Sequence, residues 1–144
     1  MDATTAIAVY AAVVATVSGG WQVYTWRRDR QTRIDVSVTN AFLTFDQGLS
    51  PMALITAVNR SRHPVRVESM GFDVQDESGR TLVITAQPPG STLPGEVRPQ
   101  DSGKTWIEQA ELASRGFDLT RPLAGWVNDA TGKRHRSKRV TLRA

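Results

Sequence analysis

The pattern of apolar and polar residues divides the chain into one long uncharged run and a series of short alternating segments. The uncharged run covers 24 residues, 3–26, and four arginines follow it within seven positions, 27–33. At 1.5 Å per residue, a helix of this length reaches about 36 Å, more than the ~30 Å hydrocarbon core of a bilayer. The pattern therefore predicts an N-terminal transmembrane helix with a basic juxtamembrane segment, residues 1–33.

Aromatic and basic residues cluster at the C-terminal end of the run, where rings and cations favour the headgroup level. The positive-inside bias places the arginine side, and everything after it, in the cytoplasm, with the N-terminus outside the inner (plasma) membrane. A cleaved signal peptide and a peripheral helix are the alternatives, but a signal peptide carries its basic residues before the apolar run. The residues expected at the membrane interface are Trp21, Tyr24, Trp26, Arg27, Arg28 and Arg30.

Small residues recur at every fourth position of the run, at Ala11, Ala15 and Gly19. This spacing puts them on one face of a helix and permits close approach of a second span. The sequence therefore raises the hypothesis of helix–helix packing, in a homodimer or with another membrane protein. The alternative is that alanine is simply abundant here.

After the run, apolar residues alternate with polar ones in short stretches separated by turn residues, which is typical of half-buried strands. A helix over 108–115 ends before Gly116, a common C-cap residue. The proline-rich stretch 87–100 is expected to lack regular structure. The predicted strands are 34–38, which 41–45 extends or pairs with, then 52–59, 65–74 with a bulge near Ser69, 82–85, 104–107, 123–128 and 133–142.

About eight short strands with turns between them predict a mainly β fold, an antiparallel immunoglobulin-like β-sandwich with one short helix over residues 34–144. The breaks are expected at 47–51, 59–64, 76–79 and 129–132. The predicted core consists of Val36, Val38, Leu54, Ile55, Val58, Val67, Phe72, Val74, Val83, Trp106, Leu112, Trp126, Val127, Val140 and Leu142.

The composition offers little catalytic chemistry. The chain has no cysteine, which excludes disulfides, thiolate metal sites and a cysteine nucleophile and fits a reducing cytoplasm. Asp129, His135 and Ser137 are the residue types of a catalytic triad, but Ser137 and His135 would share one strand without a nucleophile elbow. His63 has no carboxylates at metal-ligand spacing. The sequence predicts no enzyme activity, no cofactor and no metal.

Charge is segregated along the chain. Residues 34–132 carry eight basic and twelve acidic side chains, whereas 133–144 carry six basic and no acidic ones. A charged edge strand that resists aggregation is one interpretation of the C-terminal segment. Binding to anionic lipid or to an acidic protein are others, and nucleic acid is the weaker candidate because the segment lacks interleaved aromatic residues. The candidate binding residues are Lys133, Arg134, Arg136, Lys138 and Arg139.

Two stretches carry a resemblance to known proteins. One is a strand, turn and strand over 57–67. The other runs from an extended Leu-Pro segment at 93–95 through a polar glycine turn and strand at 101–106 and the short helix 108–115 to the stretch 126–138. The chain resembles small uncharacterised bacterial or phage-encoded proteins that pair one N-terminal span with a compact β-sandwich. The resemblance implies this architecture over most of residues 34–142 and brings no functional residues with it.

These observations together predict a membrane-anchored, non-enzymatic interaction or scaffold protein with an unidentified protein partner. The alternative function is an electrostatic binder of anionic lipid or nucleic acid through the C-terminal basic strand.

Overall fold

The structure, a computed structural model, describes residues 2–45, 48–74 and 79–142 of the 144-residue chain. The chain divides into two units, Met1–Gln31 and Thr32–Ala144. Gln47 in the predicted break 47–51 and residues 76–78 of the predicted turn 76–79 lie outside the described residues.

The first unit is the helix α1, Ala3–Asp29, which extends the predicted run by one charged turn. Asp2 caps it by accepting a hydrogen bond from the backbone N–H of Thr5. Thr16 and Thr25 donate their hydroxyls to backbone carbonyls one turn earlier, so these polar groups are satisfied within the helix. The helix buries none of its residues within the chain.

The second unit is mainly β and consists of two antiparallel sheets and one short helix, α2, Gln109–Ser114. One sheet has the strand order β1-β2-β6, and the other has the order β4-β3-β7-β8, with β5 also paired to β3. The strands are β1 Ile34–Phe45, β2 Gly48–Asn59, β3 Val65–Val74, β4 Thr81–Val83, β5 Gly95–Val97, β6 Ser102–Glu108, β7 Leu123–Asp129 and β8 Arg134–Arg136.

Alternation along the strands sorts the side chains between a shared core and the outer faces. In β2 the fully buried residues Ala53, Ile55 and Ala57 face the core, and Leu54 and Val58 lie between them on the other face, half-buried. The prediction that Leu54 and Val58 are core residues is therefore wrong, because the inward positions of this strand are the odd-numbered ones.

The two sheets approach closely where β7 crosses β1 and β2. A Cβ atom added to Gly125 would lie 2.5 Å from Cγ2 of Val38 and 3.3 Å from Cγ1 of Ile55. Only glycine leaves room for this contact, so Gly125 fixes how near the second sheet comes to the first.

Most of the remaining core prediction holds. Among the predicted core residues, Val36 packs against the core, Trp106 and Val140 are half-buried, and Val83 is exposed. Val83 is exposed because Leu82 takes the inward position of the short strand β4. The predicted residues within the core cluster are Val38, Ile55, Val67, Phe72, Val74, Leu112, Val127 and Leu142.

Three strand predictions need correction. Residues 48–51 are not a break, because β2 begins at Gly48 and pairs with β1 along its whole length. The proline-rich stretch contains β5, which pairs with β3, and its Leu93 is fully buried. The predicted strand 133–142 is regular only in β8, followed by one isolated bridge from Val140 to Leu123. The predicted bulge near Ser69 is confirmed by a register shift between Val67 and Ser69.

The fully buried side chain of Asn59 ties the two sheets together at one end of the domain. Its Nδ2 donates to the backbone carbonyls of His63 (2.8 Å) and Val97 (2.9 Å), and its Oδ1 accepts from the N–H of Ser61 (2.8 Å). Val97 belongs to β5 in the second sheet, whereas Asn59 ends β2 in the first. One amide therefore satisfies three buried backbone groups of a turn and two sheets.

We predict that Asn59→Ala lowers the free energy of unfolding by about 2–4 kcal/mol, because three backbone groups lose their partner without access to water. Urea denaturation in detergent, followed by near-ultraviolet circular dichroism, measures the change. Ser37→Ala at an exposed position of β1 is the control and should change stability by less than about 0.5 kcal/mol. Equal effects of the two substitutions would contradict the structural role of Asn59.

Candidate functional site

The aromatic and basic residues predicted at the membrane interface all lie on the last two turns of α1 and its C-cap. Trp21, Tyr24 and Trp26 are exposed, and the rings of Trp21 and Tyr24 lie 5.9 Å apart. The guanidinium of Arg30 stacks 4.1 Å above the Trp26 ring. Arg27 and Arg28 occupy the last turn, where cations interact favourably with the helix dipole.

The helix is long and apolar enough to cross a membrane. A signal sequence near the N-terminus can meet the same criteria of length and apolar composition. Ala11, Ala15 and Gly19 are exposed on this helix, and nothing lies within 4 Å of a Cβ placed on Gly19. Packing of a second span against these three residues stays a prediction.

Two of the five candidate residues in the C-terminal basic segment are held against the second sheet. Arg134 donates from Nε to Oδ1 of Asn128 at 3.1 Å, and Arg136 pairs from Nε with Oδ2 of Asp73 at 3.1 Å. Asp73 also accepts a hydrogen bond from the Thr81 hydroxyl. These contacts give both arginines a structural role on the outer face of the sheet.

The arginines cover Trp126, which was predicted to lie in the core. Gly125 faces the first sheet, so its neighbour Trp126 lies on the outer face, where it packs over Gly71. The guanidinium of Arg134 lies 4.1 Å from the Trp126 ring centroid, and Trp126 is only 1% exposed. A cation–π contact of this kind contributes about 0.5–2 kcal/mol. Trp126 is buried as predicted, but it lies under the side chain of Arg134 on the outer face of the sheet and not in the core between the sheets.

The other three candidates, Lys133, Lys138 and Arg139, are exposed. Their side chains make no ion pair or hydrogen bond with the described part of the chain. Lys138 also lies at a cleft of about 370 Å³ between the start of β1 and the segment after β8, beside Val36 and Val38. The basic segment is therefore divided between two structural arginines and three cations available to solvent.

His135 forms a buried ion-pair geometry with Asp129 across the β7–β8 turn. His135 Nε2 lies 3.0 Å from Asp129 Oδ2, with side-chain exposures of 9% and 1%. Burial raises the pKa of the Asp129 carboxyl, but hydrogen bonds from Thr131, His135 and the backbone N–H of Lys133 outweigh it and lower the pKa below the ordinary aspartate value. The ionised carboxylate therefore closes this turn.

We predict that Asp129→Asn destabilises the domain by about 1–3 kcal/mol near neutral pH, because the charged acceptor of four hydrogen bonds is lost. Since the folded pKa of Asp129 is depressed, its contribution is present above the unfolded pKa of about 3.9 and is lost as pH falls through the folded pKa. Thermal unfolding of the wild type and of Asp129→Asn, measured across pH 3–7, tests this prediction. A stability difference that stays constant to the acid end would contradict the prediction.

The residue types of a catalytic triad do not assemble. The hydroxyl of Ser137 accepts from the N–H of Gly125 and donates to the carbonyl of Lys138, at 2.9 and 2.7 Å. His135 does pair with Asp129, but Ser137 makes no hydrogen bond to His135, so the serine is missing from the arrangement. Across residues 2–45, 48–74 and 79–142, no group of three His, Asp or Glu side chains is arranged to hold a metal ion.

A basic surface that sequence reasoning missed lies at one end of the β domain, and we call it the basic end. The registers Ile34↔Asn59, Val58↔Ser102 and Val65↔Val97 bring the start of β1 and two connections to the same end. Pairing of β3 with the end of β7 adds a third connection, 130–133. The basic residues in these connections are Arg33, Arg60, Arg62, Arg98 and Lys133, together with His63.

Backbone contacts hold the segments of the basic end together. The N–H of Arg33 donates to the Ser61 hydroxyl, and the N–H of Arg60 donates to the carbonyl of Arg33, both at 2.8 Å. The N–H of Ala130 donates to the carbonyl of Arg66 at 2.9 Å. Asp101 is the single acidic residue in these connections, so the basic end carries a clear excess of positive charge.

Several cations at the opposite end have local partners. Arg115 pairs with Glu111 at 2.6 Å, and Arg121 pairs with Asp118 at 3.5 Å. Arg80 donates to the carbonyl of Gly116. The contrast between the two ends cannot be read from the sequence, because the basic residues are scattered over a hundred positions.

A second surface feature is a cleft of about 310 Å³ on the side of the domain where β4 and β6 form the sheet edges, which we call the side cleft. Its lining is mostly apolar, with Glu108, Glu111 and Arg115 at one end. The main lining residues are Met52, Val83, Ile84, Pro88, Pro89, Trp106 and Ile107.

Both strand edges at the side cleft present backbone groups. The N–H of Lys104 donates to Thr92 Oγ1, and the carbonyl of Lys104 accepts from the Thr92 N–H. The backbone N–H and carbonyl of Lys104 therefore point away from β2. Because directions alternate along a strand, the N–H groups of Trp106 and Glu108 point the same way. Neither N–H donates to an acceptor among the described residues. The N–H of Ile84 donates to the carbonyl of Met70 in β3. By the same alternation, the backbone N–H and carbonyl of Val83 point away from β3.

Comparisons with known proteins assign no family. No protein-family model and no curated protein matches the chain. Among solved structures, one described as "X-ray structure of Northeast Structural Genomics Consortium target SoR45" is similar at 13% identity and a TM-score of 0.38, covering 78% of this chain and 86% of that one. A likeness of this size supports no conclusion about function.

Proposed function

We propose that the protein is a single-span membrane protein whose immunoglobulin-like β-sandwich serves as a cytoplasmic interaction module. The strand orders β1-β2-β6 and β4-β3-β7-β8 match the orders A-B-E and C′-C-F-G of that fold, which supports the immunoglobulin-like assignment, although β5 pairs with β3 and not with the first sheet as strand D does. The apolar helix α1 supports the anchor, since it buries none of its residues within the chain.

The orientation follows from charge. Arginines follow the apolar run directly, and cytoplasmic flanks carry the excess of arginine and lysine. The N-terminus is accordingly outside the inner membrane, and residues 32–144 are in the cytoplasm.

We predict that the full chain resists extraction by alkaline carbonate and that a C-terminal phosphatase fusion, which is active only outside the cytoplasm, is inactive. A C-terminal green fluorescent protein fusion should be bright. Arg27→Glu with Arg28→Glu and Arg30→Glu removes the orientation signal and should raise phosphatase activity. A soluble, shortened product would indicate a cleaved signal sequence and contradict the anchor.

One observation carries the interaction role: the side cleft joins an apolar lining to backbone N–H groups of Trp106 and Glu108 that point outward. These two features fit an extended segment of a partner protein that adds to β6 as a further strand. In this mode main-chain hydrogen bonds supply affinity, and apolar pockets select side chains. The partner class is therefore a protein with an exposed extended segment carrying an apolar residue.

We predict that Glu108→Pro abolishes partner binding and leaves the fold intact. Glu108 has φ −65°, the angle that proline requires, and its N–H points away from β2. Glu108→Ala is the matched control, because it removes the same side chain and keeps the N–H. Partners recovered from gently solubilised membranes with the wild type and with Glu108→Ala should be lost with Glu108→Pro.

Recovery of the same partners with all three proteins would place the binding surface elsewhere. Recovery of none would contradict an interaction module.

The second candidate function is an electrostatic binder of anionic lipid or nucleic acid through the C-terminal segment. The exposed cations Lys133, Lys138 and Arg139 favour it. The engagement of Arg134 and Arg136 with Asn128 and Asp73 reduces the charge that this segment offers to a partner.

A further inference from the structure

The strongest unassigned feature is the basic end, where four separate segments meet. The basic residues in or beside the connections that the strand registers bring together are Arg33, Arg60, Arg62, Arg98 and Lys133. Asp101 is the acidic residue within these connections, and Asp35 lies beside them, where it pairs with Arg60 at 3.1 Å. An exposed pair of this kind contributes little energy.

The basic end is also the end at which the chain enters the β domain after α1. Four residues, 30–33, separate α1 from β1, and they span at most about 18 Å when five peptide steps are fully extended. The start of β1 therefore stays close to the C-terminal end of the helix, whatever the orientation of the domain. Anionic lipid attracts basic residues within about 8–10 Å of the surface at physiological ionic strength.

We propose that the basic end is a docking surface for anionic phospholipid headgroups of the membrane in which the helix sits. This proposal rests on the proposed membrane span. It shares only Lys133 with binding through the C-terminal segment, because the other charges come from the start of β1 and from the β2–β3 and β5–β6 connections. The side cleft lies at the edges of β4 and β6 and shares no residue with these connections, so lipid binding and protein binding would use different surfaces of the β domain.

Lipid fits this surface better than nucleic acid does. The connections 60–64, 98–101 and 130–133 contain no Phe, Tyr or Trp on which bases could stack. The charges sit on separate turns at one end and not along a groove, which suits a planar array of phosphates. The shared chemistry is an anionic phosphate group, and the lipid surface is its source.

The test uses the full chain reconstituted in nanodiscs of phosphatidylcholine alone or of phosphatidylcholine with phosphatidylglycerol. Hydrogen–deuterium exchange is measured on peptides covering the three connections. We expect protection of these peptides in the anionic discs only, and loss of that protection at high salt. Incorporation into discs reports on the span separately: a chain that does not incorporate refutes the anchor, whereas an incorporated chain without protection refutes only the docking.

Three double variants that each remove two positive charges locate the surface. Arg62→Gln with Arg98→Gln should reduce protection to the level in zwitterionic discs. Arg115→Gln with Arg121→Gln, at the opposite end, and Lys138→Gln with Arg139→Gln, in the C-terminal segment, should leave protection unchanged. A fourth double variant, Arg62→Lys with Arg98→Lys, keeps the charge and should keep the protection.

Three results would overturn the proposal. The first is the absence of protection in anionic discs. The second is protection that depends on Lys138 and Arg139 and survives the loss of Arg62 and Arg98. The third is protection by a single-stranded DNA oligonucleotide in zwitterionic discs without protection by anionic lipid, which would assign the surface to nucleic acid.

Discussion

The arrangement of the β domain depends on the buried amide of Asn59. A turn that enters a protein interior must satisfy its backbone groups without water, and Asn59 satisfies those of Ser61, His63 and Val97 with one side chain. The same residue's backbone bonds to Gln100 and Asp101. The end of the first sheet is thereby fixed to the loop that follows β5, and two polar turns can lie side by side at the surface.

This constraint gives the domain two different ends. Antiparallel strands return each connection to the end from which the chain came, so residues far apart in sequence meet at a sheet end. Here the connections fixed by Asn59 carry several arginines and one carboxylate, Asp101, whereas at the other end Arg115 and Arg121 each lie beside a carboxylate. Charge asymmetry is therefore a product of topology, acting on a chain whose central part is slightly acidic overall.

Much of the architecture could be predicted because it depends on local patterns. The apolar run predicted α1, and alternation predicted most of β3 and β7 together with the bulge near Ser69. The pattern could not tell the inward face from the outward face where both faces of a strand carry apolar residues, as at Leu54 and Ile55. The proline-rich stretch hid β5, because its three residues gain regularity only by pairing with β3.

The candidate surfaces were harder to predict, for a physical reason. The sequence shows the basic run at 133–139, but not that Arg134 covers Trp126 or that Arg136 pairs with Asp73. These contacts depend on strand register, which places Arg136 opposite Trp126. Similarly, nothing in the sequence around Arg62 or Arg98 indicates that the two residues are neighbours. Only the positions of the two turns in the structure show that they share a surface.

The short connection between α1 and β1 has a consequence for the strength of binding that the proposed interaction module would need. With the proposed membrane anchor, residues 30–33 hold the start of the β domain within about 18 Å of the end of the helix. A partner anchored in the same membrane would share this thin layer, so contacts too weak to hold two freely diffusing proteins together would suffice. Association would then be reversible, and the abundance of the two proteins in the membrane would set its extent.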